Sequence, residues 1–370
     1  MRKSVVVTGA EGFLGRNLVE HLRFKQEIEV KKIKRNTTIR EINESVHNCD
    51  AVIHLAGVNR PINDSEFEAV NVRFTENLLE TLENCGAPPV FFASSSQISL
   101  DNPYGRSKRQ AEQLIASYGD RNGVAVRIAR LPNIFGKWSR PNYNSVVATF
   151  AYNIARGLPI QIDSPDHVLE LVYVDDLVEA IINDFSSRFT DPSFNLCPIY
   201  RSTIAEIAKI LYEFHQSRTT GHVSEVGAGF QRALYATYIS FLEPNSFSYP
   251  ISTHADERGM FVEFIKTPQS GQISYLTAKP GVTRGSHYHH TKVEKFVVTH
   301  GRARFRYQSL QDGNIHHVDV SADRPTVVES VPGWIHDVTN TGNDDLSVLI
   351  WSNEVFDSSR SDTFGDVIDH

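Results

Sequence analysis

Three glycines near the start of the chain constrain the fold more than any other feature of the sequence. They lie in the segment TGAEGFLG, which follows the apolar run at residues 5–7 and opens an amphipathic stretch at residues 12–22. Gly9, Gly12 and Gly15 stand where a tight turn, a close approach to a pyrophosphate and tight helix-on-strand packing each exclude a side chain. The helix N-terminus then faces the phosphates. The pattern predicts a dinucleotide-binding strand–turn–helix unit.

The rest of the chain divides into two parts of different periodicity. Before residue 243, short apolar runs alternate with helical stretches, which predicts an α/β Rossmann-type, doubly wound parallel sheet. After residue 252, short alternating segments between Gly, Pro, Asn and Asp turns predict an all-β barrel or jelly roll. We therefore expect the following organisation: a first domain at 1–243 with a substrate-binding subdomain at about 131–243, a linker at 244–252, and a second domain at 253–370.

Charge and cysteine content exclude several classes of protein. The 37 Lys and Arg against 44 Asp and Glu give a net charge of −7, which disfavours a broad nucleic-acid or anionic-membrane surface. No apolar run approaches the roughly 20 residues that span a bilayer. Cys49, Cys85 and Cys197 are widely spaced without a CxxC pair, so neither disulfides nor a zinc ribbon are indicated. No export signal is visible, and we expect a cytoplasmic protein without nucleic-acid or membrane partners.

Two basic residues follow the second predicted strand. At this position an NAD site usually carries a carboxylate, whereas an NADP site carries cations that meet the 2′-phosphate. Lys34 and Arg35 therefore predict NADPH as the cofactor, the alternative being a solvated basic edge. The residues expected to bind the cofactor are Gly9, Gly12, Phe13, Leu14, Gly15, Lys34, Arg35, Leu55, Ala56, Gly57, Tyr104 and Lys108.

A tyrosine and a lysine stand four residues apart at the start of a predicted helix. Tyr104 and Lys108 thus share one helix face, and a nearby cation would lower the pKa of the phenol toward neutrality. Such a phenol can give its proton to a carbonyl oxygen as hydride arrives at carbon. Ser94, Ser95 and Ser96 end the preceding strand and can supply the hydroxyl that orients that carbonyl. Which serine acts stays open.

Five segments in this order resemble the extended short-chain dehydrogenase/reductases, the family of nucleotide-sugar epimerases, dehydratases and reductases. The segments are TGAEGFLG, DAVIHLAG, SSS before YGRSK, RLPNIFG and LVYVDDL, and together they cover about residues 1–243. The resemblance implies that Tyr104 is the proton donor, that Lys108 holds the nicotinamide ribose, and that Ser96 or Ser95 polarises the substrate carbonyl. It also implies that Asn133 lies beside the sugar nucleotide. Only seven residues separate Ser96 from Tyr104, fewer than most members have, so a loop that often carries substrate contacts is short.

The second part carries two motifs that resemble those of the cupin fold. They are Gly281-x5-His287-x-His289-x4-Glu294-x6-Gly301 and Pro332-Gly333-x2-His336-x3-Asn340. His287 and His289 alternate onto one strand face, and Glu294 and His336 can reach it from neighbouring segments. Three imidazoles and a carboxylate suit a divalent metal, best Zn²⁺, with iron, nickel and manganese open. The alternative is a set of merely buried polar residues. Four other histidines lack the spacing, namely His290, His300, His316 and His317.

A second signature overlaps the first. The segment HADERGMFVE at residues 254–263 and the segment RGSH at residues 284–287 resemble motifs of the dTDP-sugar epimerases of the rhamnose pathway. Arg258 and Arg284 would then bind a nucleotide diphosphate. In that family the general-base histidine aligns with His287, which here also looks like a metal ligand, and a ligating imidazole is a poor base. The base therefore stays open among Lys292, Tyr288 and a metal-bound hydroxide.

The two parts together resemble the two-domain enzymes of capsular-polysaccharide and O-antigen synthesis. The resemblance implies a homodimer through the cupin domains and a UDP-2-acetamido-2,6-dideoxy-4-hexulose as substrate. The cupin would epimerise C-3, and the first domain would reduce the C-4 ketone with NADPH. The product would be UDP-N-acetyl-6-deoxy-L-talosamine, on the way to UDP-N-acetyl-L-fucosamine. Because the ketone acidifies the neighbouring C–H bond, epimerisation must precede reduction.

Three alternatives remain. The first is a 4-keto-sugar reductase whose cupin is only a metal-stabilised dimerisation domain. The second is an iron cupin dioxygenase. It is disfavoured because fusion to a reductase domain does not suggest an aromatic or thiol substrate. The third, a regulatory cupin with a dinucleotide-sensing domain, requires the pairing of Tyr104 and Lys108 to be a coincidence.

Overall fold

The computed structural model describes residues 2–192, 195 and 197–368, which form two compact units. The first unit comprises Met1–Leu211 and Gly229–Leu242, and the second comprises Tyr212–Ala228 and Glu243–His370. From the sequence, residues 212–228 were expected in the first domain. They belong to the second unit because the backbone groups of Gly221 and Val223 are hydrogen-bonded to Lys266.

Parallel strands form the main sheet of the first unit. Its strands are β1 (Lys3–Thr8), β2 (Ile28–Ile33), β3 (Ala51–His54), β4 (Val90–Ser95) and β5 (Val126–Leu131). They are hydrogen-bonded in the order β2-β1-β3-β4-β5. The order reverses between β1 and β3, so a crevice opens beyond the carboxyl ends of these two strands, where ligands of such sheets bind.

Helices cover both faces of this sheet. The helices of the chain are α1 (Phe13–Arg23), α2 (Ile39–Val46), α3 (Phe74–Glu83), α4 (Pro103–Asn122), α5 (Val146–Ala155), α6 (Val174–Ser186), α7 (Ile204–Thr220) and α8 (Gly229–Ser240). Successive residues of β1 enter different cores: Val5 and Val7 pack with α1 and α6, whereas Val6 packs with α3 and α4. A strand buried on both faces must be apolar throughout, which explains the unbroken apolar runs in the sequence. The predicted Rossmann-type sheet is confirmed.

The remaining elements of the first unit are a small sheet and two short helical segments, and a third short helical segment belongs to the second unit. The sheet consists of β6 (Asn133–Phe135), β7 (Val168–Tyr173) and β8 (Ile199–Thr203), with β6 parallel and β8 antiparallel to β7. A π-helical segment (Phe67–Arg73) precedes α3, a 3₁₀ segment (Ser96–Ser99) follows β4, and a second 3₁₀ segment lies at Pro244–Ser246. Within the described ranges, no helix has the length and apolar character needed to cross a membrane.

Two antiparallel sheets make up most of the second unit. The strands are β9 (Thr253–Asp256), β10 (Gly259–Thr267), β11 (Gly271–Ala278), β12 (Thr283–Tyr288), β13 (Glu294–His300), β14 (Arg302–Ser309), β15 (Ile315–Ser321), β16 (Val327–Glu329), β17 (Trp334–Asn340), β18 (Leu346–Ser352) and β19 (Phe364–Gly365). One sheet has the order β16-β13-β18-β11-β10-β9 and the other β15-β14-β17-β12-β19. Phe296 and Val348 from the first sheet share a core with Phe305 and Val338 from the second. The predicted all-β character of this part is confirmed.

Candidate active site and candidate metal centre

The glycine-rich turn after β1 forms a backbone cradle at the reversal of strand order. Gly9 has a φ of +66°, and a Cβ there would lie 2.8 Å from the backbone nitrogen of Ala56. A Cβ on Gly15 would overlap the carbonyl oxygen of Gly9. Gly12 caps α1 without a side-chain hydrogen bond, which leaves the first N–H groups of the helix for an anion. These features fit the pyrophosphate of a dinucleotide.

The other predicted cofactor residues lie around this cradle. Leu14 is buried in the core beside α1, and the half-buried side chain of Phe13 packs against the same core. Gly57 is exposed, and Leu55 and Ala56 are half-buried. Lys34 and Arg35 follow β2 and have exposed side chains. Lys34 Nζ lies 2.8 Å from Oε1 of the exposed Glu11, and Arg35 lies 3.3 Å from the half-buried Glu66.

A buried hydrogen-bond chain joins the ends of β1 and β3. Thr8 Oγ1 lies 2.6 Å from His54 Nδ1 and accepts hydrogen bonds from the backbone nitrogens of Leu55 and Ala56. On the other side, His54 Nε2 lies 2.9 Å from Thr75 Oγ1. Burial, and secondarily the charge of Lys108, lowers the pKa of His54 to about 3, so its imidazole is neutral. The sequence analysis quoted Thr8 and His54 within motifs without giving them a role.

Tyr104 and Lys108 lie on the first turns of α4, next to the end of β4. Lys108 Nζ donates a hydrogen bond of 2.6 Å to the carbonyl oxygen of Ala93 and lies 4.2 Å from the centre of the Phe92 ring. Burial lowers the pKa of Lys108 to about 8, with Glu112 acting in the opposite direction. Burial raises the pKa of Tyr104, against a hydrogen bond with the Ser95 side chain. The predicted fall of the Tyr104 pKa is therefore wrong, because desolvation of the phenol dominates.

The three serines at the end of β4 have different surroundings. The Ser95 side chain lies near enough to Tyr104 to oppose the rise of the phenol's pKa, and its hydroxyl accepts a hydrogen bond from the backbone nitrogen of Gln97. Ser94 donates a hydrogen bond of 2.5 Å to Glu112, which also pairs with Arg130. Ser96 begins the 3₁₀ segment and is exposed. Of the three, Ser95 is the residue that the fold brings to Tyr104.

Asn71 joins the loop after β3 to α4. Its amide nitrogen donates hydrogen bonds to the carbonyl oxygen of Val58 and to Ser107 Oγ, both at 3.0 Å, and its oxygen accepts from the Val58 nitrogen at 2.8 Å. It lies on the π-helical segment, a type of helix often found at functional sites. The sequence analysis missed Asn71, since a single asparagine within a helical pattern carries no signal. The predicted substrate residue Asn133 is exposed at the start of β6.

Four side chains in the second unit form a compact cluster. Their ligand atoms all lie within 4.8 Å of one another; they belong to His287, His289, Glu294 and His336. Glu294 Oε2 is 3.3 Å from His289 Nε2, 3.6 Å from His336 Nε2 and 4.0 Å from His287 Nε2. His287 pairs directly with His336 across β12 and β17, whereas Glu294 comes from the facing sheet. The structure thus brings all four predicted ligands together.

The protonation of the cluster suits a cation. His289 Nδ1 lies 2.5 Å from the carbonyl oxygen of Asp362, so Nδ1 carries the proton and Nε2 offers a lone pair. His336 Nε2 is buried and has no hydrogen-bond partner among the described residues. Burial favours the neutral acid of Glu294, but the three histidines around its carboxylate and, to a lesser extent, the charge of Lys292 hold its pKa well below the usual range. An ionised carboxylate and three imidazoles are the donor set of a divalent-metal site.

A β-bulge in β12 brings Arg284 to the same face as His287. The register with β17 shifts between Gly285 and His287, and Ser286 has a φ of +61°. Arg284 therefore pairs with Val338 and His287 with His336, two residues that share one strand face. Without the extra residue, Arg284 and His287 would point to opposite faces.

The two predicted diphosphate-binding arginines meet at one carboxylate. Arg258 lies 2.6 Å from Asp256 Oδ2, and Arg284 lies 3.9 Å from Asp256 Oδ1. The sequence analysis placed the two arginines in one site but missed Asp256, which bridges them. Both guanidinium groups remain cationic and can receive an anion by exchanging this carboxylate for it.

The two predicted protein bases lie in different places. Lys292 is buried, with Nζ 3.4 Å from Glu294 Oε1 and 3.1 Å from Thr363 Oγ1. Tyr288 lies on the opposite face of β12 from His287, with its ring stacked on Phe364 at 5.3 Å. The fold therefore brings Lys292 to the metal cluster and turns Tyr288 away from it.

Comparison with known proteins agrees with this architecture. Residues 5–183 match the NAD dependent epimerase/dehydratase family, and residues 254–364 match the polysaccharide biosynthesis C-terminal domain. The fold and the two sites thus define a dinucleotide-binding epimerase/dehydratase-type domain followed by a domain of polysaccharide biosynthesis.

Relatives similar over the whole length narrow the class. The UDP-2-acetamido-2,6-beta-L-arabino-hexul-4-ose reductase of Pseudomonas aeruginosa is 46% identical over 362 residues, which is 97% of each chain. The crystal structure of the capsular polysaccharide assembling protein CapF from Staphylococcus aureus is 40% identical, with a TM-score of 0.92 over 100% of both chains. The chain belongs to the family that contains these two proteins. The predicted resemblance to two-domain enzymes of capsule synthesis is confirmed.

A more distant structure shares the fold over part of the chain. MoeE5 in complex with UDP-glucose and NAD is 20% identical, with a TM-score of 0.53 over 64% of this chain and 98% of that chain.

Proposed function

We propose that the chain is a bifunctional enzyme of UDP-sugar metabolism. The second unit, as a cupin barrel, epimerises C-3 of a UDP-2-acetamido-2,6-dideoxy-4-hexulose, and the first unit then reduces the C-4 ketone with NADPH. The substrate of the Pseudomonas aeruginosa relative supports the choice of a UDP-4-keto sugar. The observation that carries the reductase is the placement of Tyr104 and Lys108 one turn apart on α4, beside Ser95 at the end of β4.

The cradle after β1 supports a nicotinamide dinucleotide as the cofactor of the first unit. Its glycines leave room for the pyrophosphate against the N-terminus of α1, and Lys34 and Arg35 are available for the 2′-phosphate of NADPH. When bound, the nicotinamide supplies the hydride that adds to C-4.

Tyr104 and Ser95 act on the oxygen of the C-4 ketone. Both hydroxyls bind this oxygen, and the Tyr104 phenol gives up its proton to it as the C–H bond forms, so that the ketone becomes an alcohol. Burial raises the pKa of Tyr104, which keeps the phenol protonated and ready to donate at neutral pH. The ammonium group of Lys108 favours the phenolate left behind and holds the nicotinamide ribose.

The donor set in the second unit supports a divalent ion, most favourably Zn²⁺, held by His287, His289, Glu294 and His336. When bound, the ion supplies a Lewis acid for the ketone oxygen of the sugar. Arg258 and Arg284 bind the diphosphate, displacing Asp256 from between them. Lys292 exchanges the C-3 proton; its position beside the metal cluster, with Nζ 3.4 Å from Glu294 Oε1, supports this role. The homodimer and the cytoplasmic location stay predictions.

One reaction tests the proposal as a whole. The purified protein is incubated with a UDP-2-acetamido-2,6-dideoxy-4-hexulose and NADPH, and the product is identified by NMR. We expect oxidation of one NADPH per sugar and an alcohol with inverted configuration at C-3. A sugar recovered unchanged, with no loss of NADPH, would contradict the proposal for the first unit.

The preference for NADPH is expected to depend on the two cations after β2. Replacing Lys34 or Arg35 with Ala removes a charge-assisted contact worth about 1.5–3 kcal/mol, so KM for NADPH should rise by roughly 10- to 100-fold. KM for NADH should not change, because NADH lacks the 2′-phosphate. Lys25→Ala, at an exposed lysine before β2, serves as a control. Equal effects on both cofactors would contradict the assignment.

The reaction is expected to lose efficiency as Lys108 is deprotonated. Because burial lowers the pKa of Lys108 to about 8, kcat/KM for NADPH should be constant below that pH and fall above it. The charge of Glu112 raises the pKa of Lys108. In Glu112→Gln, the fall of kcat/KM on the alkaline side of the pH profile should therefore begin at a pH lower by up to about one unit. Glu83→Gln, which removes an exposed carboxylate paired with Arg121, should leave the limb in place. An unchanged limb in Glu112→Gln would argue against Lys108 as the titrating group.

A further inference from the structure

The C-terminal segment supplies a residue that contacts one ligand of the metal cluster and the loop that follows this ligand. We propose that Asp362 is a positioning residue of the metal centre, which fixes the ligand His289 and the loop that carries Lys292. The inference rests on the metal site of the proposed function and extends it to a residue outside both cupin-like motifs.

The side chain of Asp362 holds the loop between two ligands, His289 and Glu294. Its Oδ1 accepts a hydrogen bond of 2.9 Å from the backbone nitrogen of His290. Its Oδ2 accepts three more, from the backbone nitrogen and the hydroxyl of Thr291 at 2.7 and 2.9 Å and from the backbone nitrogen of Lys292 at 2.8 Å. Four hydrogen bonds from three consecutive residues to one carboxylate define the path of this loop.

The backbone of Asp362 acts on a metal ligand directly. Its carbonyl oxygen accepts a hydrogen bond of 2.5 Å from His289 Nδ1. This contact orients the ring and leaves the lone pair of Nε2 facing Glu294, 3.3 Å away. Partners of this kind fix the tautomer and the ring orientation of ligating histidines.

The segment after Asp362 is itself fixed to the strand that carries His287. Thr363 Oγ1 accepts a hydrogen bond from Lys292 Nζ at 3.1 Å. Strand β19 pairs with β12, with Gly365 opposite His287, and the side chain of Ile368 is buried. Asp362 is thus held in place by the sheet, and its contacts hold the loop in turn.

An asparagine at this position keeps the shape but not the acceptors. In Asp362→Asn, an amide nitrogen replaces one carboxylate oxygen, and it cannot accept a hydrogen bond from an N–H or O–H group. If the amide nitrogen takes the place of Oδ1, one of the four hydrogen bonds to the loop is lost; if it takes the place of Oδ2, three are lost. In both cases the loop becomes more mobile. Loss of such a supporting contact weakens metal binding by about 10- to 100-fold.

The test compares metal binding by the full-length chain and its variants after removal of metal. Zn²⁺ is titrated in competition with a chromophoric chelator, and Co²⁺ is added separately to record the absorption of the bound ion. We expect Asp362→Asn to bind Zn²⁺ about 10- to 100-fold more weakly and to alter the Co²⁺ spectrum, while metal-free samples melt at similar temperatures. Asp357→Asn, on the same segment but bonded only locally to Ser359, should match the native chain.

Two results would overturn the inference. Equal Zn²⁺ affinity and equal Co²⁺ spectra in Asp362→Asn and the native chain would show that Asp362 does not position the ligands. Failure of the native chain to bind either ion would remove the metal centre and the inference together. Because neither measurement uses a sugar, a chain that binds Zn²⁺ normally but does not epimerise would contradict the proposed function and leave the role of Asp362 intact.

Discussion

Tyr104→Phe is expected to lower kcat for ketone reduction by about 10²- to 10⁴-fold, the usual contribution of a general acid. The variant loses only the phenolic hydroxyl, and its ring keeps the contact with Phe67 at 5.9 Å between ring centres. NADPH should therefore still bind, as measured by fluorescence titration, while NADPH oxidation in the presence of the keto sugar is nearly abolished.

Tyr118→Phe provides the matched control for this experiment. Tyr118 lies on the same helix and is fully buried, and its hydroxyl donates a hydrogen bond of 2.7 Å to the carbonyl oxygen of Pro88. Its loss should cost about 1 kcal/mol of stability and leave kcat unchanged. A Tyr104→Phe variant with nearly native kcat would mean that the proton comes from another group, and the account of the first unit would be wrong.

Glu294→Gln is expected to remove the metal from the second unit. Glu294 is the only anionic member of the cluster, and its Oε2 faces all three histidines. The substitution replaces the charged carboxylate with a neutral amide. Loss of a residue that only supports a metal ligand lowers the affinity by about 10- to 100-fold, so loss of this ligand should lower the affinity for Zn²⁺ by more. Metal analysis after dialysis measures the effect. Binding of NADPH to the first unit should persist.

Glu329→Gln is the control, since Glu329 is an exposed carboxylate on the neighbouring strand β16, paired with Lys295. It should retain the metal content of the native chain. Native metal content in Glu294→Gln would mean that the ion is held elsewhere or not by this cluster.

Features with a local or periodic signal could be predicted from the sequence. The glycine turn needs only a few consecutive residues, and the parallel sheet shows itself in apolar runs such as residues 5–7, which enter two different cores. The four metal ligands lie in two short motifs, although His289 comes directly after the end of β12 and not on the strand itself. In each case the sequence spacing itself sets the geometry.

Features that depend on burial or on distant contacts could not be predicted. The sequence spacing does not distinguish Ser94, Ser95 and Ser96 as partners of Tyr104. Only the turn at the end of β4 brings Ser95 near Tyr104. The pKa of Tyr104 rises because the phenol is buried, which no neighbouring residue in the sequence reveals. Asp362 is 73 positions from His289 and lies in no motif.

Two other features of the structure could not be predicted from the sequence, because one depends on an irregular backbone and the other on pairing between distant residues. The face shared by Arg284 and His287 depends on the bulge at Ser286, because strict alternation predicts opposite faces. Residues 212–228 join the second unit through backbone pairing with Lys266, which is remote in sequence.

Hydrogen exchange at C-3 shows whether the second unit has an epimerase site of its own. The Zn²⁺-loaded protein is incubated with a UDP-2-acetamido-2,6-dideoxy-4-hexulose in deuterium oxide without NADPH, and the sugar is followed by NMR. We expect deuterium to enter at C-3 and the inverted ketone to accumulate, and we expect neither change with Glu294→Gln. No exchange at C-3, together with reduction once NADPH is added, would contradict the account and leave the second unit a metal-stabilised domain beside a reductase.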